Sequence, residues 1–208
     1  MSELDIPTPH GPARAHLHPV DGRARGALIL GHGAGGGVTA PDLVAARRTA
    51  NEHGWHCALN EQPYRVAGRK APAPQQQLDV AFVTIVRALS GRGKPFKLAP
   101  VVTGGRSMGS RVACRTAQEV GARGVLCLAF PLVPPRRRAD GNPPPSRLPE
   151  LKSAGVPVLV IQGEGDPFGM PPRGAGRRVV RLAGDHGLKK DIPGLRAALG
   201  RWLDELEL

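Results

Sequence analysis

No stretch of this 208-residue chain restricts its fold more than Val101-Val102-Thr103-Gly104-Gly105-Arg106-Ser107-Met108-Gly109-Ser110-Arg111-Val112-Ala113. An apolar pair leads into a turn crowded with glycine. A helical period follows in Val112, Ala113, Ala117 and Val120, and stops at Gly121. A buried strand, a sharp turn and a helix are thus predicted in immediate succession. At the turn stands Gly105-x-Ser107-x-Gly109. Chance supplies roughly 0.1 such patterns in a chain this rich in glycine, so the strand-to-helix setting is what gives the pattern weight. In that setting it is a nucleophile elbow: the serine is held in strained backbone at the head of a sheet, and side chains two residues away on either side would collide with the turn. The helix start behind it offers backbone N–H groups and a positive dipole end to a developing anion. The competing reading is a glycine-rich turn whose serine is idle.

The rest of the chain alternates strand and helix signals. Residues 1–11 read as a loose N-terminus and 13–19 as an edge strand, followed by a turn at Asp21-Gly22. The continuous apolar run 25–30 marks a strand buried on both faces. It ends in Gly31-His32-Gly33-Ala34-Gly35-Gly36-Gly37, where the backbone must turn hard. Thr39 as N-cap and Pro41 in the first turn start a helix that runs to about His53. A strand is predicted over 55–60, a loop over 61–76, and an amphipathic helix on Leu78, Phe82, Ile85 and Leu89. Further strands follow over 124–130, 156–161 and 177–182. Between the first two lies an irregular proline-rich crossover, 131–149, a candidate small lid carrying Arg136-Arg137-Arg138. Ile192, Leu195, Leu199, Trp202 and Leu206 share one face of a last helix. Such alternation predicts an α/β fold, a mostly parallel sheet with helices on both faces, in a single domain over 12–208.

Composition narrows the function classes. No apolar run approaches the length of a membrane span, and Met1 to Pro12 has no apolar signal core, so a cytoplasmic protein with no membrane partner is expected. Cys57, Cys114 and Cys127 lack metal-ligand spacing and are expected as reduced, buried thiols. The net charge of +12 reads either as a footprint for a polyanion or as a compositional bias shared with abundant Ala, Gly, Pro and Arg. Aromatics make up only 3%, which removes base-stacking platforms. No specific nucleic-acid partner is expected, and duplex DNA should bind only weakly and lose affinity steeply with salt.

In a parallel α/β sheet, ligands bind beyond the carboxyl ends of the strands. Four loops share that position: 31–37, 104–109, 163–169 and 183–187. They bring a glycine-rich loop, Ser107, Asp166 and His186, each of the three side chains after a separate predicted strand. The order Ser, Asp, His is that of the α/β-hydrolase triad. Ser107 would be the nucleophile, His186 the base that takes its proton, and Asp166 the carboxylate that fixes the imidazole tautomer and offsets its charge. The oxyanion would be met by the backbone N–H groups of Met108 and Ala34. Glu164 and Asp185 are rival acids, Glu164 the better placed of the two. His32 is expected to brace its turn, and His10, His16, His18, His53 and His56 to be surface or structural. Arg106 is expected to pair with a carboxylate or to line the pocket. The chemistry needs no cofactor and no metal.

Four motifs carry a family resemblance: Gly31-His32-Gly33-Ala34-Gly35-Gly36, Gly104-Gly105-Arg106-Ser107-Met108-Gly109-Ser110-Arg111, Phe130-Pro131-Leu132-x-Pro134-Pro135 and Gly163-Glu164-x-Asp166-Pro167-Phe168-Gly169. Over residues 11–205 the chain resembles a branch of small α/β-hydrolases similar to dienelactone-hydrolase-like proteins. That branch includes the hydrolase-like domain of an NSL-complex regulatory subunit and a related testis-expressed protein. The resemblance implies an α/β-hydrolase fold with little or no lid domain. Val133 stands where these proteins usually carry histidine, and Gly165 where they carry arginine. Dienelactone hydrolases proper use a cysteine nucleophile, so Ser107 argues against their substrate. The function expected is a serine hydrolase acting on a small-molecule ester, thioester or related acyl bond. Because some relatives are subunits of complexes, the alternative is a non-catalytic interaction module on the same fold.

Overall fold

The computed structural model describes residues 2–97, 100–134, 142 and 144–206. Its strands are β1 (Ser2–Thr8), β2 (Gly11–His18), β3 (Gly26–Gly31), β4 (Trp55–Glu61), β5 (Val101–Arg106), β6 (Gly124–Leu128), β7 (Val158–Gly163) and β8 (Arg177–Leu182). They form one sheet in the order β1-β2-β4-β3-β5-β6-β7-β8. From β4 through β8 every neighbouring pair is parallel, and β1 and β2 join by antiparallel pairing. The helices are α1 (Pro41–Glu52), α2 (Pro63–Val66), α3 (Gln75–Leu89), α4 (Met108–Thr116), α5 (Leu148–Lys152) and α6 (Ile192–Glu205).

The apolar strands have no polar face because both faces are covered. Leu28 and Leu30 of β3, and Leu159 and Ile161 of β7, pack into the cluster that holds α1 and α6. Their alternating neighbours Ala27, Ile29, Val158 and Val160 pack on the other side with residues of α3, α4 and α5. A period of two thus feeds two cores from single strands. This is the mostly parallel sheet with helices on both faces that the alternation of elements predicts.

Three local expectations need correction. Residues 2–8 are not loose: β1 pairs along its length with β2, so β2 lies inside the sheet rather than at its edge. Ile6 is buried and the turn closes through Gly11 at φ 104°, where Thr8 Oγ1 donates to Gly11 O. Thr39 is not a cap: Ala40 precedes the helix without a side-chain bond, while Asp42 accepts the Leu43 N–H within the first turn. Pro41 does open the helix. The loop 61–76 also contains the short helix α2. Residues 135–141 and 143, with Arg136-Arg137-Arg138 and much of the candidate lid, lie outside the described residues.

Candidate active site

The elbow is built by backbone meeting backbone. A Cβ on Gly105 would come within 2.5 Å of Gly31 O, and one on Gly109 would collide with the same carbonyl. Glycine at both positions lets β3, β5 and the start of α4 close on one another. Ser107 then takes φ 51° and ψ −109°, a conformation that non-glycine residues adopt only where the surroundings impose it. Its N–H donates to Leu128 O and its carbonyl accepts the Ser110 N–H. Met108 follows as the first residue of α4, where an N–H has no intrahelical acceptor.

His186 reaches Ser107 from the loop after β8. Its Nε2 lies 3.0 Å from Ser107 Oγ, and its Nδ1 lies 2.8 Å from Asp166 Oδ2. A carboxylate can only accept, so Nδ1 carries the proton and Nε2 is left as the acceptor for the serine hydroxyl. Phe168 packs against the imidazole with its ring tilted by 40° and centroids 4.5 Å apart. The rival acids stand elsewhere: Glu164 is exposed, and Asp185 is exposed and accepts the Gly187 N–H.

Asp166 itself is held by a residue that the sequence reading did not single out. Gln162, fully buried at the end of β7, donates from Nε2 to Asp166 Oδ2 at 2.8 Å, Gly169 O at 3.0 Å and Phe130 O at 3.1 Å. All three neighbours are acceptors, so the amide nitrogen must face them. Asp166 Oδ1 accepts the Phe168 N–H at 2.9 Å. The available signal was an amide closing the run Val-Leu-Val-Ile-Gln, where every other side chain is apolar.

Arg106 holds His186 from behind. Its Nη2 donates to His186 O at 3.1 Å, and its Nε stands 2.8 Å from Oδ2 of the fully buried Asp42. Oδ2 lies off the line of any N–H, so the contact is an ion pair without an aligned hydrogen bond. Burial pushes the Asp42 carboxyl above its ordinary value, and the Arg106 charge pulls it back down. Asp42 was likewise not singled out beforehand.

The loop after β3 completes the cleft. Ala34 lines it with Ser107 and Met108, and Tyr64 Oη donates to Ala34 O at 3.1 Å. Burial pushes the Tyr64 phenol up to about 12, which keeps it a donor. His32 is buried with Nδ1 2.8 Å from Gly33 O and Nε2 accepting the Gln62 N–H at 3.1 Å, so both ring nitrogens are occupied within the fold. Val133 contributes its N–H to Phe168 O. The cleft holds about 290 Å³. A larger hollow of about 510 Å³, lined by Trp202, Arg123 and Glu205, lies at the opposite end of the sheet, before β6 and β7.

An alpha/beta hydrolase domain matches residues 24–189, a span that includes Ser107, Asp166 and His186. The chain belongs to that family. Solved structures of similar fold include Est1E from Butyrivibrio proteoclasticus, 14% identical over 99% of both chains with a TM-score of 0.73. An α/β serine hydrolase without lid from Xanthomonas campestris is 18% identical over 98% of this chain and 93% of its own, with a TM-score of 0.73. A dienelactone hydrolase from Anabaena variabilis is 17% identical over 99% of this chain and 95% of its own, also at 0.73. Among the described residues of this alpha/beta hydrolase, no helix is long and apolar enough to cross a membrane, and no group of His, Cys, Asp and Glu could hold a metal ion. Its three cysteines are free and buried, Cys114 and Cys127 with sulfurs 3.5 Å apart.

Proposed function

We propose that this alpha/beta hydrolase cleaves small acyl esters or thioesters through an acyl-enzyme on Ser107, as a cytoplasmic serine esterase. The observation that carries the reading is the hydrogen-bonded line Asp166–His186–Ser107, with the serine in strained backbone at the end of β5. His186 Nε2 takes the Oγ proton as Oγ attacks the carbonyl carbon. Asp166 stabilises the imidazolium without itself becoming protonated. The Met108 and Ala34 N–H groups are the donors assigned to the oxyanion, a contribution worth about 3 kcal/mol per donor in a comparable site. His186 then protonates the leaving group, and a water deprotonated by the same nitrogen releases the acid. The size of the cleft, about 290 Å³, supports a small acyl group.

The motif resemblance to subunits of complexes keeps a second reading, a non-catalytic interaction module. A fluorophosphonate probe separates them. We expect labelling of the natural protein and none of Ser107→Ala, with that variant folding normally and losing ester hydrolysis by several orders of magnitude. Failure of well-folded protein to label would favour the interaction module.

A further inference from the structure

The cleft beside Ser107 has an unbalanced wall. Much of it is apolar, including Ala34, Leu78, Met108 and Phe168, yet Arg111, Arg115 and Arg147 also line it and, among the described residues, no carboxylate does. Two acids stand behind the arginines. Glu150 accepts from Arg111 Nε at 2.7 Å and Nη2 at 2.6 Å, and from Arg115 Nη1 at 2.8 Å. Asp79 takes the other side of Arg115, at 2.9 Å from Nε and 2.6 Å from Nη2. Among the described residues, three guanidinium groups therefore face two carboxylates, which leaves one positive charge.

That charge belongs to Arg147. Among the described residues it pairs with no acid, and its side chain spends one donor, Nη1, on Pro131 O at 3.0 Å. A guanidinium has five N–H groups, so its fork is open while those of Arg111 and Arg115 are closed. Its backbone is fixed on both sides: the N–H donates to Leu132 O, and the carbonyl accepts the Glu150 and Leu151 N–H groups of α5. Burial and the nearby Arg111 charge hold its pKa below the ordinary arginine value, and the Glu150 charge only partly opposes them.

We propose that Arg147 recognises a carboxylate on the substrate, so that the preferred class is a half-ester of a dicarboxylic acid, whose free end pairs with the guanidinium while its ester carbonyl lies at Ser107. The inference rests on the hydrolase reading. A fork of this kind matches a carboxylate in bidentate geometry, and a monoanion balances the single excess charge of the described lining where a dianionic phosphate would overshoot it. Net, one water is consumed: the ester C–O bond breaks, the alcohol leaves with a proton from His186, and water supplies the hydroxyl of the new acid with no redox change.

The test compares kcat/KM for methylumbelliferyl monoesters of adipate, pimelate and suberate with the neutral hexanoate, heptanoate and octanoate. The best half-ester should exceed its neutral partner by at least about tenfold at low salt, and the preference should shrink as salt screens the pair. Arg147→Met should bring that ratio near one, and Arg147→Lys should leave it between the two, since lysine keeps the charge and loses the fork. Should Arg147→Met fail to fold, the drop in Arg147→Lys carries the test. A natural ratio of one or less, in protein whose turnover needs Ser107, overturns the proposal and leaves the hydrolase reading intact. An equal loss from Arg48→Met, an exposed arginine on α1, would trace the preference to net charge and also overturn it. If no ester is turned over and no probe labels, the hydrolase reading fails. Calorimetry with adipate then decides the anion site: Arg147-dependent binding supports it, and absent binding overturns it.

Discussion

Ser107 and His186 meet at 3.0 Å, but they are held by different kinds of construction. The serine side is a backbone construction, in which glycines at 105 and 109 let main chain touch main chain at Gly31. The side of His186 and Asp166 is a side-chain construction. Gln162 fixes Asp166 by a hydrogen bond, and Arg106, backed by Asp42, fixes the carbonyl of His186. A backbone contact has no freedom to relax, so an added methyl there acts on the whole fold. A side-chain support can be lost while the sheet stands, so its removal should act on turnover before it acts on folding.

The largest effect is expected from Gly109→Ala. Its methyl would enter Gly31 O, with His32 O 2.9 Å away, and neither can retreat without parting β3 from β5. We expect about 3 kcal/mol or more of destabilisation, read in a thermal melt as a fall of about 6–12 °C for a chain of this size. An unshifted melt would show that the elbow is looser than the contact implies.

Next comes the acid. Asp166→Asn keeps the shape but offers an amide that favours the wrong imidazole tautomer, a change that costs about 10⁴ in a serine protease template. Turnover on a small ester should fall by at least about 10² with the melt little changed. Glu164→Gln, at an exposed site, should alter it less than about twofold. If Glu164→Gln is the more damaging, the acid has been misassigned.

The smallest of the three effects separates support from stability. Arg106→Met leaves Asp42 buried without its cation, which should cost about 2 kcal/mol, the ordinary penalty being reduced because Arg106 is partly exposed. Adding Asp42→Asn should recover most of the melt. If Arg106 positions the base, kcat stays down by about tenfold in the double variant while KM hardly moves. Recovery of kcat together with the melt would reduce Arg106 to a structural role.

The two constructions also differ in how far they could be read in advance. The elbow was legible because its rule is local: glycine, serine and glycine within five residues, between a strand and a helix. The central strands β3, β6 and β7 were legible because burial on both faces leaves nearly unbroken apolar runs. Asp42 and Gln162 were not, because each acquires meaning only when the fold delivers a partner from another loop. For Arg106 the sequence left a carboxylate or the pocket as alternatives, and the structure supplies Asp42. The first strand was missed because Leu4 and Ile6 make only a brief alternation among prolines and charges, and its stability comes from pairing with β2.

The Asp42–Arg106 pair has a mechanical consequence. Asp42 belongs to the helix that follows the loop bearing Ala34, while Arg106 adjoins Ser107 and grips the carbonyl of His186. One pin, anchored on a fully buried carboxylate, thus joins three segments that converge on Ser107. To slide any of them past the others, the protein would have to pull a carboxylate away from its cation in a place where no solvent waits to receive it. The distances among Ser107, His186 and the loop after β3 are therefore set when the chain folds rather than when a ligand arrives, and the cleft meets its ligand already in register.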